Sequence, residues 1–71
     1  MSDYHINVFY SEADGGYIAD IPDLGGCSAF GDTPQQALTE VLRAKEAWLT
    51  VAGESGCHIP EPRYRPAIYA M

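Results

Sequence analysis

From Tyr4 to Tyr10 the chain alternates, placing Tyr4, Ile6, Val8 and Tyr10 on one side with His5 and Asn7 between them. A period of two in β-branched and aromatic residues predicts a strand over residues 4–10. The polar run that follows holds Asp14-Gly15, a strong hairpin-turn pair. A second strand is expected over 17–21, ending at Pro22, which has no N–H to give a ladder. A short third strand over 27–30 is flanked by Gly26 and Gly31. The period then changes. Thr33 reads as an N-cap, Pro34 as the first helical residue and Gln36 as the closing member of a capping box. Asp32 sits beside the positive end of that helix. Ala37, Leu38, Val41, Leu42, Trp48, Leu49 and Ala52 recur at helical spacing, with Gln35, Thr39, Arg43 and Glu46 on the other side. This predicts a helix over 34–52 with Gly53 as its C-cap.

Pro60 and Pro62 hold the following connector extended. A last strand over 64–69 is expected, and Pro66 assigns it to a sheet edge. The order β-β-β-α-β makes residues 1–71 one α+β domain, a small antiparallel sheet with one helix packed on one face. A single core of this size supplies only roughly 3–5 kcal/mol, so self-association to a dimer or tetramer is expected as support. The 46% hydrophobic share excludes a disordered tail.

Charge changes the picture more than composition does. The formal net charge is −6, and Asp3, Glu12, Asp14, Asp20, Asp23, Asp32 and Glu40 all precede the first basic residue, Arg43. Such a surface repels phosphate backbones, which argues against nucleic acid as a direct ligand. It attracts a basic protein and speeds the encounter. No apolar run is long enough for a membrane span, and the first residues lack a basic region and an apolar signal core. A cytoplasmic location is the default expectation, in which Cys27 and Cys57 form no disulfide framework.

Candidate chemistry is sparse. Cys27 as a nucleophile with His5 or His58 as base would need a neighbouring cation, and its neighbours in sequence are Asp23 and Asp32. A small buried apolar residue is the simpler reading. Zinc would need paired ligands, and the adjacent Cys57 and His58 point opposite ways in an extended segment. Asp20, Asp23 and Asp32 could hold a divalent cation, but their spacing is irregular and turn aspartates are ordinarily solvated. Leu24-Gly25-Gly26-Cys27 has no following Gly-Lys-Ser/Thr, so its glycines serve a tight turn rather than a phosphate loop. Trp48 belongs to the helix's apolar stripe. No catalytic residue and no cofactor are assigned, and a protein-binding module is favoured over an enzyme.

Several motifs in order carry a resemblance. Glu12-x-Asp14-Gly15-Gly16-Tyr17, Ile21-Pro22-Asp23-Leu24-x-Gly26-Cys27, Gly31-Asp32-Thr33-x-x-x-Ala37-Leu38 and Ile59-Pro60-x-Pro62 together resemble the HicB family, the antitoxins of HicA–HicB toxin–antitoxin pairs. The resemblance implies a partial RNase H-like fold without a working nuclease site. It also implies a HicA-like partner, a small basic ribonuclease that cleaves messenger RNA and whose active-site histidine the antitoxin covers. Gly25 stands where the family pattern has Pro. The C-terminal DNA-binding segment of many relatives has no counterpart before Met71, so direct DNA binding is not expected. The residues expected to meet the partner are Glu12, Asp14, Asp20, Asp23 and Asp32 through charge, with Pro22, Leu24 and Gly26 shaping the turn. The alternative is an orphan module of the same fold binding a metal (at Asp20, Asp23, Cys57 or His58) or a small ligand, with residual hydrolase activity.

Overall fold

The computed structural model of the chain describes residues 3–65. Among them, β1 (Asn7–Ser11), β2 (Gly16–Asp20) and β3 (Ser28–Gly31) form an antiparallel meander in the order β1-β2-β3. One helix, α1 (Pro34–Glu54), packs on one face. This is the α+β architecture the sequence predicts. Of the expected last strand, Tyr64 and Arg65 are in neither helix nor strand, and residues 66–69 lie outside the described residues.

The first strand starts at Asn7, three residues later than its alternation suggests. Its partner explains this. Asn7 pairs with Asp20, and β2 ends there, just before Ile21-Pro22. Tyr4 and Ile6 keep the alternation and pack against the core without a strand to pair with. The hairpin is closed by four residues, 12–15, with Gly15 at φ 69 and its N–H donating to the Ser11 carbonyl at 2.9 Å.

Register decides the two faces. Val8 pairs with Ala19 and Ala19 with Ala29, while Tyr10 pairs with Tyr17 and Tyr17 with Gly31. This set faces α1, where Ala19, Ala37 and Val41 are fully buried and join Ile21, Leu24 and Cys27 in one core. The opposite parity sends Phe9, Ile18 and Phe30 to the face that carries no helix among the described residues, paired in a row across all three strands.

Small residues set the depth at which the helix lies. At Gly31 a Cβ would fall far inside van der Waals distance of the Ala37 backbone nitrogen, so β3 and the first turn of α1 touch backbone to backbone. The helix begins as expected, Thr33 Oγ1 accepting from the Gln36 N–H at 3.1 Å. Gln36 Oε1 reaches back one residue further than a capping box requires, to the Asp32 N–H at 2.7 Å. The other end corrects the expected stop. Gly53 lies inside the helix, Ser55 is the C-cap, and Gly56 at φ 71 supplies the left-handed residue. Cys57 N–H donates to the Ala52 carbonyl at 2.9 Å and Gly56 N–H to that of Gly53 at 3.3 Å, the paired bonds of a Schellman motif.

Replacing Gly31 by Ala should therefore force helix and sheet apart. Overpacking of this kind costs about 2 kcal/mol. Thermal unfolding followed by circular dichroism should show the midpoint about 10 °C lower in a domain of this size.

Candidate functional site

The loop from Ile21 to Cys27 is two β-turns in series. Leu24 N–H donates to the Ile21 carbonyl at 3.1 Å and Cys27 N–H to the Leu24 carbonyl at 3.0 Å. Ile21 N–H then closes the pair on the Cys27 carbonyl at 3.0 Å. Pro22 takes the second position of the first turn, where its fixed φ is preorganised. Gly26, at φ 78, takes the third position of the second, the geometry of a type II turn. Ile21, Leu24 and Cys27 point inward and are 2%, 1% and 4% exposed. Leu24 is thus an anchor of the core, and its side chain is not available to a partner; its part in shaping the turn is to pin it from beneath.

Two ties fix this loop to distant parts of the chain. Trp48 Nε1 on α1 donates to the Gly25 carbonyl at 3.0 Å. The Asp23 carboxylate accepts the backbone N–H groups of Arg63 and Tyr64, each at 3.0 Å. Asp23 is therefore engaged within the chain, holding the connector that follows the helix. The Tyr64 ring in turn packs 4.7 Å from that of His5 at a 43° tilt, and His5 Nε2 hydrogen-bonds Asn7 Oδ1 at 2.7 Å. The Tyr4 hydroxyl donates to the Pro60 carbonyl on the same connector.

The remaining acids divide. Asp3 meets Lys45 at 3.4 Å and Glu40 meets Arg43 at 3.6 Å. The N–H of Tyr4, and after it Lys45, holds the Asp3 carboxyl below its ordinary value of 3.8. Glu12, Asp14, Asp20 and Asp32 have no cationic partner among the described residues. Glu12 and Asp14 lie on the β1–β2 turn, where Asp14 accepts from Ser11 Oγ at 2.8 Å, and Asp32 follows the end of β3. In an antiparallel meander these three share one end of the sheet, while Asp20, half-buried at the end of β2, is at the other. The acids expected to act together thus bracket the sheet rather than converge on a point.

The cysteines and histidines disperse. Cys27 and Cys57 line an open apolar groove of about 480 Å³ with Ala44, Trp48, Val51 and Ala52, between the second half of α1 and the second turn. His58 lines a separate hollow with Asp23, Pro60 and Arg63. Among the described residues no three His, Cys, Asp or Glu side chains gather as a metal would require. No helix among them is long and apolar enough to cross a membrane. Burial pushes the Cys27 thiol up, with the Lys45 charge pulling weakly the other way. Sequence reasoning missed the row formed by Phe9, Ile18 and Phe30. The three consecutive apolar residues Val8-Phe9-Tyr10 were its available signal, since a strand apolar at both parities feeds both faces.

Four outcomes follow from this geometry. Gly25 carries no positive φ, a Cβ there meets nothing within 4 Å, and it holds the turn position at which Pro is common. Gly25→Pro should raise stability by about 0.5 kcal/mol, read as a higher denaturant midpoint. Asp23→Ala should free residues 57–65, seen as faster amide exchange of Arg63 and Tyr64 with α1 unaffected. At neutral pH a thiol reagent should modify the exposed Cys57 promptly and the buried Cys27 only on unfolding. Because folding favours the neutral Cys27 thiol, its contribution is complete below the ordinary thiol value of 9.0 and is lost as pH rises beyond it.

No family model matches the chain, and no solved structure matches it. A relative is UPF0150 protein ssl0259 of Synechocystis sp., 40% identical over 53 residues that cover 75% of this chain and 73% of that protein. At that identity and coverage, the chain belongs to the UPF0150 family.

Proposed function

We propose that the chain is a HicB-like antitoxin domain, a protein without catalytic activity of its own that binds and occludes a small basic ribonuclease. The observation that carries this reading is the charge arrangement. Glu12, Asp14, Asp20 and Asp32 bracket a sheet built from a stretch without Lys or Arg, and among the described residues none of the four is neutralised by an ion pair. The motif resemblance supplies the partner's class, a HicA-like toxin. Pro22 and Gly26 hold the double turn rigid beside Asp20, so a partner meets a surface that needs little ordering on binding. Each exposed carboxylate contributes little alone, and together they act on the association rate. Nucleic acid is not a direct ligand in this reading, and the chain contributes to RNA metabolism only by sparing messages from its partner.

Self-association belongs to the same proposal. Both outer strands, β1 and β3, have one edge without a ladder partner among the described residues, and a core whose largest fully buried side chains are Ile21, Leu24 and Val41 gains from added burial.

The apolar groove beside Trp48 favours a second reading, an orphan module that takes a small apolar ligand there. Co-expression separates the two. Paired with a small basic HicA-like protein sought in the neighbouring gene, the chain should relieve growth arrest and co-purify with that protein, whereas an orphan module should do neither. Replacing Glu12, Asp14 and Asp32 together by Lys should slow association by about 10-fold or more at low salt. The difference should shrink as ionic strength rises.

A further inference from the structure

We propose that the helix-free face of the sheet is the docking surface, with Phe9, Ile18 and Phe30 seating an apolar patch of a basic protein whose lysines and arginines meet the carboxylates around them. The inference rests on the antitoxin reading and names the surface that reading would use.

Strand register puts the three side chains in one row, one from each strand. The Phe30 ring lies over Gly16, where a Cβ would strike it, so it stands on the helix-free side. Phe9 and Phe30 remain 48% and 44% exposed, although each offers an aromatic area that a folded chain normally covers. Asp20 shares this face two residues beyond Ile18, and Asp32 directly follows the end of β3 at the opposite end of the sheet. Glu12 and Asp14 close the end of the β1–β2 hairpin next to Ser11 and Gly16. The surface therefore has an aromatic centre and an anionic rim, with no cation contributed by any of its three strands.

That rim selects the occupant. A second copy meeting this face through a two-fold axis would set carboxylates against the same carboxylates, within the roughly 10 Å over which charge is felt at moderate salt. Nucleic-acid phosphates and anionic lipid headgroups meet the same repulsion. A protein with an apolar patch ringed by Lys and Arg meets attraction at the rim and burial at the centre. Aromatic residues at the centre of an interface, shielded by a polar rim, are where binding energy concentrates.

The test uses the full chain and a small basic HicA-like protein sought in the neighbouring gene, whose absence would overturn the antitoxin reading and this proposal together. Phe9→Ser and Phe30→Ser should each weaken the complex at least ten-fold, mainly by faster dissociation, and leave the salt dependence of association as it was. Leu42→Ser, at a partly exposed position on α1, should leave binding unchanged. Undiminished affinity of both Phe variants overturns this proposal and leaves the antitoxin reading intact, whereas failure of the unaltered chain to form a complex overturns both. Two further results overturn it as well. One is a dimer in sedimentation that Phe30→Ser converts to monomer, which would give the face to a second copy. The other is a fall in thermal midpoint for Phe9→Ser much larger than for Leu42→Ser, which would mean that the row is covered within the chain.

Discussion

A single helix can cover one face of a three-stranded sheet and not the other, and the rest of this structure follows from that constraint. Among the described residues the core cluster lies between α1 and the sheet and under the double turn that links β2 to β3. The approach is as close as backbone permits, because Gly31 meets Ala37 with no side chain between them. What the helix gains by that closeness it cannot extend to the far side. Among the described residues no second helix lies there, and the strands carry aromatic residues at both parities. Burial on one side and exposure on the other are therefore two results of the same meander.

The double turn is what makes so thin a structure rigid. Its backbone bonds satisfy Ile21, Leu24 and Cys27 locally, allowing three apolar side chains to enter the core from a loop. Trp48 holds the turn from the helix and Asp23 holds the connector from the turn, so one seven-residue loop ties helix, sheet and the post-helical segment together. Held by contacts on both flanks, the loop acts as a clamp.

The parts legible from sequence are those with a repeat or a local chemical signature. The helix start was readable because Thr33, Pro34 and Gln36 act within one turn, and the meander because alternation and Pro22 act within a strand. Where two local signals competed, the nearer one misled. Gly53 looks like a stop, but the apolar stripe still has Ala52 to bury and Gly56 is free to take the left-handed conformation three residues later. The start of β1 was illegible because it depends on where β2 ends. The roles of Asp23 and Trp48 link residues roughly 40 and 23 positions apart, and composition carries no record of such pairings. The same holds for the acids. Seven precede Arg43 in sequence, but only the folded chain shows Asp3 and Glu40 spent on cations and Asp23 on backbone amides.

This redistribution alters how charge could serve binding. A uniformly acidic surface would attract any basic partner without fixing its orientation. Carboxylates at both ends of the sheet, with an aromatic row between them, instead define an axis. In the proposed complex, long-range attraction through the rim would govern how often a partner arrives. Short-range burial at the row would govern how long it stays. Separating the two functions onto different residues is possible because the strands alternate. Period-two geometry places core residues on one side and leaves the other free to vary, so the outward face can be tuned without loosening the packing that holds α1. The half-covered sheet, a weakness for stability, is in this sense the feature that gives so small a domain a surface to work with.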